Sequence, residues 1–148
     1  MTRPVVYFAR AVDGLDPADL LAQGRSVAAA LRRHGMDLLD PVAARGTTPA
    51  GTPLMAEDPM VTVECDLRHL RRSDGLLVDM SSPAHTYIGS VCELTYAYLW
   101  QIPAVVWVGR TGLEERPWLR YHARAVVRGR DEAVTTMAAL LAESVRVY

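Results

Sequence analysis

Asparagine is missing from this chain, and cysteine is scarce: Cys65 and Cys92 are the only two in 148 residues. They have no C-x-x-C spacing and no accompanying histidine pattern, which argues against a disulfide scaffold or a structural zinc site and for a reduced, cytoplasmic protein. His34, His69, His85 and His122 show no ligand spacing, so no metal is expected. Excess charge is also missing. Lys and Arg total 16 against 17 acids, for a net charge of −1, and no basic surplus points to nucleic acid or an anionic membrane. Any phosphate would have to be met locally, by a few arginines or backbone amides. No apolar run approaches the ~20 residues of a membrane span. The opening Met-Thr-Arg-Pro-Val-Val-Tyr-Phe is too short for a signal segment. Neither G-x-G-x-x-G nor a Walker sequence follows the first strand, and G-x-S-x-G does not occur, so a dinucleotide fold of the usual type, a P-loop and a serine-hydrolase elbow are unsupported. Without repeats or linkers, residues 1–148 read as one domain.

Half of the residues are hydrophobic, enough for a sizeable core, and their spacing alternates between strand and helix. Val5 to Ala9 reads as a strand. Asp16-Pro17 has the form of an N-cap followed by Pro at the first helical position, and Leu20, Leu21, Val27 and Leu31 recur at helical spacing up to Arg33. Gly35 fits the position beyond that helix. Met36 to Pro41 reads as a second strand, and Val42 to Pro59 as a long functional or mobile loop. A helix from Met60 to Arg72 would carry Val63, Leu67 and Leu70 on one face, with Asp66 and His69 beside it. Gly75 to Met80 is a buried strand, a helix opens near Gly89, Pro103 to Gly109 is a fourth strand, and Ala125 to Arg128 a fifth. A loop with a short helix spans Arg110 to Arg120, and Asp131 would cap a last helix to about Val145. This alternation predicts a three-layer α/β sandwich of Rossmann-like or flavodoxin-like type, with a mostly parallel sheet of about five strands.

Chemistry-bearing residues gather at the strand tips, where open α/β sheets bind ligands. Tyr7-Phe-Ala-Arg10 ends the first strand, Asp79-Met-Ser81-Ser ends the third, and Gly89-Ser90-Val-Cys-Glu93 starts the following helix. Glu93 is expected in that helix's first turn, where the dipole and free N–H groups favour a carboxylate. Read singly, Glu93 is compatible with an ordinary dipole-stabilising acid, Asp66 with a surface acid paired to arginines of its own helix, and Tyr7 with a core residue.

The ordered set resembles the nucleoside 2-deoxyribosyltransferase superfamily over about residues 3 to 109. It comprises Tyr7 in Val-Val-Tyr-Phe, Asp66 in Cys-Asp-Leu-Arg-His-Leu, Ser73-Asp74 before the third strand, Gly89 four residues before Glu93-Leu-Thr-Tyr-Ala97, and Gln-Ile-Pro103 before the fourth strand. The pattern is closest to the branch that hydrolyses nucleoside 5′-monophosphates. The resemblance implies an N-glycosidase acting on a small nucleoside or nucleotide, with pyrimidine as the expected base and no cofactor. Glu93 would be nucleophile, Tyr7 its orienting donor and Asp66 the group acting at the base. Arg10, Asp79, Ser81, Tyr87, Gly89 and Ser90 would line the substrate. It also implies a homodimer or higher homo-oligomer.

The chain departs from that pattern. Arg10 stands where a small residue is usual, Tyr87 stands where the branches carry an acid or a Ser, and the Asn that transferases borrow from a neighbouring subunit has no counterpart. Hydrolysis is therefore expected over transfer. Two other readings stay open: a nucleotide-sensing module without turnover, and an NAD-cleaving domain of the TIR type, which also uses a helix-borne Glu.

Overall fold

The computed structural model describes residues 2–46, 49–50 and 58–145. Five strands alternate with helices: β1 Val5–Arg10, α1 Pro17–Arg33, β2 Asp37–Leu39, α2 Pro41–Ala44, α3 Pro59–Arg71, β3 Gly75–Asp79, α4 Ile88–Leu99, β4 Ala104–Trp107, α5 Pro117–His122, β5 Ala125–Val127 and α6 Arg130–Val145. The sheet is all parallel, in the order β2-β1-β3-β4-β5. That is the flavodoxin-like order, whose crevice lies where β1 and β3 meet.

Alternation along the strands divides the core into two layers. Val6, Phe8, Leu77, Val105 and Trp107 pack with α1 and α6, and Phe8 stacks on Trp107 with ring centres 5.7 Å apart. Tyr7, Ala9, Leu76, Val78 and Val106 face the opposite layer with Leu70 of α3, Leu94 of α4 and Leu119 of α5.

Three helices start with the same device. Asp16, Asp40 and Asp58 each precede a Pro, and each side chain accepts the backbone N–H two residues on, at 2.8, 2.9 and 2.9 Å. The segment expected as one loop from Val42 to Pro59 therefore opens with a helical turn, α2; residues 47–48 and 51–57 lie outside the described residues. Val63 is 56 % exposed, so the face of α3 that meets the core reduces to Leu70 with Leu67 partly buried. Asp131 falls inside α6 rather than capping it, since the helix already begins at Arg130. Among the described residues no helix is long and apolar enough to cross a membrane.

Candidate active site

Four polar side chains meet where α3 and α4 lie against β1. Tyr7 comes from the interior of β1, paired to Leu39 and Leu76 on either side, and not from the strand's exit. Asp66 comes from α3, Glu93 from α4, and Arg45 from the residue that caps α2. Arg45 Nη2 donates to Asp66 Oδ2 at 2.8 Å, with both side chains mostly buried. The Tyr7 hydroxyl acts on Glu93 as a donor, through a contact looser than a regular hydrogen bond. Tyr7 Oη and Glu93 Oε2 are both shut off from solvent without a partner at regular geometry.

The electrostatics follow from this burial. Removal from water pushes the Glu93 carboxyl from 4.5 up to about 7; the Tyr7 hydroxyl opposes the rise, the Asp66 charge adds to it, and Arg45 opposes it. Burial also pushes Asp66 above 3.8, against the pull of the Arg45 guanidinium. The Tyr7 hydroxyl is driven well above an ordinary phenol, first by burial and then by the Glu93 and Asp66 charges. Glu93 does not sit among the free amides of the helix start. Helix α4 begins at Ile88, which places Glu93 in its second turn, past the free N–H groups. A carboxylate largely withdrawn from water beside another carboxylate is poised near neutrality, the range useful for acid, base or nucleophile chemistry.

The other expected site residues divide. Gly89 and Ser90 are the second and third residues of α4; Ser90 is buried, and a Cβ on Gly89 would meet open space. Tyr87 starts α4 in a left-handed conformation at φ 57°. Its ring is buried, and its hydroxyl accepts from Ser82 N–H at 2.8 Å and donates to the Ser82 carbonyl at 2.9 Å. These two bonds hold a conformation that a non-glycine residue rarely adopts. Tyr87 thus closes the β3–α4 loop on itself.

Asp79 and Arg10 lie on the opposite face of the sheet from Glu93. Asp79 Oδ2 accepts from Gln23 Nε2 at 2.6 Å, and Oδ1 accepts from the Ser81 N–H and hydroxyl at 2.9 and 2.5 Å. Arg10 is buried over the Phe8 ring and forks onto Asp40 at 2.8 and 3.0 Å, with Nη2 also donating to the Leu20 carbonyl. Gly24 makes room for this pair, because a Cβ there would run into Asp40 Oδ2. The structure does not bring Arg10, Asp79 or Ser81 to Glu93. Cys92 is free and exposed.

Arg45 is the member that sequence reading missed. Its signal was present as Asp40-Pro41, the same helix-start pair as Asp16-Pro17, which implies a turn of helix ending beside α3.

The fold and this cluster define a flavodoxin-like α/β protein with a buried two-carboxylate site. No family model matches the sequence, and no curated protein matches it. Solved structures do. A conserved protein from Enterococcus faecalis V583 superposes with a TM-score of 0.67 at 17% identity, over 91% of this chain and 99% of that one. A 2-deoxyribosyltransferase from the psychrotolerant bacterium Bacillus psychrosaccharolyticus superposes with a TM-score of 0.69 at 15% identity, over 93% and 95%. The REC domain of AraT, a response regulator from Geobacillus stearothermophilus, reaches 0.52 at 16% identity, over 99% and 97%. At these identities the likeness establishes the fold.

Proposed function

We propose that this protein cleaves the N-glycosidic bond of a nucleoside or nucleoside 5′-monophosphate, with Glu93 as nucleophile. The observation that carries the reading is the desolvated Glu93 carboxyl, set against Tyr7 and the Asp66–Arg45 pair. The ordered motif from Tyr7 to Pro103 and a fold shared with a 2-deoxyribosyltransferase support it.

Ionised Glu93 attacks C1′ through an oxocarbenium-like transition state. The C1′–N bond breaks and its electron pair leaves with the base, which takes a proton from solvent. Tyr7 donates to the carboxylate and fixes its direction. Asp66, held by Arg45, accepts from an exocyclic amine or ring N–H of the base. Water then cleaves the glycosyl ester, releasing the sugar and restoring the carboxylate. A second base in place of water gives transfer; the lack of any Asn to serve the transferase role favours water.

Tyr87 spends its hydroxyl on Ser82, and the β3–α4 loop from 80 to 87 carries no acid, so nothing there repels a phosphate. The amides at the start of α4 and Ser90 are the donors for a 5′-phosphate. Arg10 is committed to Asp40 and Tyr87 to Ser82, so these two departures from the family pattern hold the fold together. The test is a panel of nucleosides, their 5′-monophosphates and NAD, read by chromatography for released base. Base from the monophosphates with the higher kcat/KM supports the reading. A nucleoside preference of about tenfold, equal to about 1.4 kcal/mol, removes the phosphate assignment. Nicotinamide alone, or binding without any release, overturns the whole.

A further inference from the structure

A cavity lies across α4 from the carboxylate cluster. It holds about 180 Å³ and opens between α4 and α5. Val91 and Thr95 line it, one helical turn apart; Glu93 is two residues from each, about 200° away around a helix of 3.6 residues per turn. The helix therefore stands between the two sites. Core side chains of Met80, Tyr87, Leu94 and Leu119 form the inner wall. At the mouth stand the Trp118 ring, 76 % exposed and stacked on His122, and the exposed Arg116. Arg116 has no side-chain hydrogen bond or ion pair among the described residues, whereas Arg10, Arg45 and Arg128 are all engaged with acids.

We propose that this cavity is a binding site for a small aromatic carboxylate, separate from the Glu93 site. Size sets the first requirement: an apolar cavity of about 150 Å³ takes up a benzene ring, so about one ring fits here. The wall chemistry sets the second, since buried apolar side chains favour a ring over a sugar or a polar chain. Charge sets the third. An unpaired guanidinium at the mouth offers a two-pronged donor to a carboxylate while the ring lies inside. The proposal does not depend on the glycosidase reading, because its readout is binding.

Benzoate and benzyl alcohol, which share a ring and differ in charge, are titrated by calorimetry into the full chain and followed in parallel by tryptophan fluorescence. Benzoate is expected to bind at least about tenfold tighter than benzyl alcohol, in line with one charge-assisted fork. In Arg116→Gln the two should bind alike, because only the charge term is lost. Val91→Trp, placed at a half-exposed rim position, should fill the mouth and abolish binding of both, with an unchanged thermal transition showing that it folds. Equal affinity in the wild type, a benzoate preference that survives Arg116→Gln, or wild-type binding by folded Val91→Trp would each overturn the proposal.

Discussion

Replacing Glu93 with Gln should make the protein more stable at pH 8 while leaving it nearly unchanged at pH 4. In the unfolded chain this carboxyl ionises at 4.5, and in the folded protein at about 7. Between those values the folded state binds the extra proton, so stability falls as pH rises through this window and levels off above it. A displacement from 4.5 to about 7 corresponds to about 3 kcal/mol. Solvent reaching the open edge of this partly buried side chain reduces that figure, so about 2 kcal/mol is the expected gain at pH 8. Gln is isosteric and never ionises, so it escapes the cost. Urea unfolding of both proteins at intervals from pH 4 to pH 8 measures the difference. The curves should coincide at pH 4 and separate between pH 5 and 7. A difference that is constant with pH, or a variant less stable at pH 8, would refute a desolvated Glu93 carboxyl.

Four other outcomes follow from the contacts. Arg45→Gln removes the cation that opposes the rise of both Asp66 and Glu93, so the acid limb of the activity profile should move to higher pH; an unmoved limb would separate Arg45 from the site. Arg10→Met leaves Asp40 buried and unpaired, and chemical denaturation should show a loss of about 3–5 kcal/mol. Tyr87→Phe deletes both bonds to Ser82 and should cost about 1–3 kcal/mol without altering the 5′ preference; an altered preference would return the phenol to the substrate. Met60, Val63, Ile88 and Leu99 leave apolar surface exposed on α3 and α4, and light scattering at micromolar concentration should find at least a dimer.

Much of this fold was legible because its signals are local. The Asp-Pro pair and the spacing of Leu20, Val27 and Leu31 mark α1 at its observed bounds, and the apolar run before Asp79 marks β3. Signals that depend on tertiary neighbours were weaker guides. Val63 fits the helical spacing of α3 and shares the Leu70 face, yet it lies two turns nearer the helix start and is left exposed, which spacing alone does not reveal. Arg10 ends the correct strand, but alternation along β1 turns its side chain to the Phe8 face, where Asp40 captures it. The cluster of Tyr7, Asp66 and Glu93 could be foreseen from an ordered motif. Its charge state could not, because it depends first on how deeply the packing of α4 buries the Glu93 carboxyl, and then on Tyr7, Asp66 and an arginine hidden at the end of a one-turn helix.

The central claim is that Glu93 performs the bond cleavage. Its most direct test is single-turnover release of base from the best substrate of the panel, comparing wild type with Glu93→Ala after circular dichroism confirms that both are folded. The account predicts a fall of at least about a thousandfold, equal to about 4 kcal/mol of barrier. Retention of more than about a tenth of the wild-type rate, within about 1.4 kcal/mol of the original barrier, would contradict it.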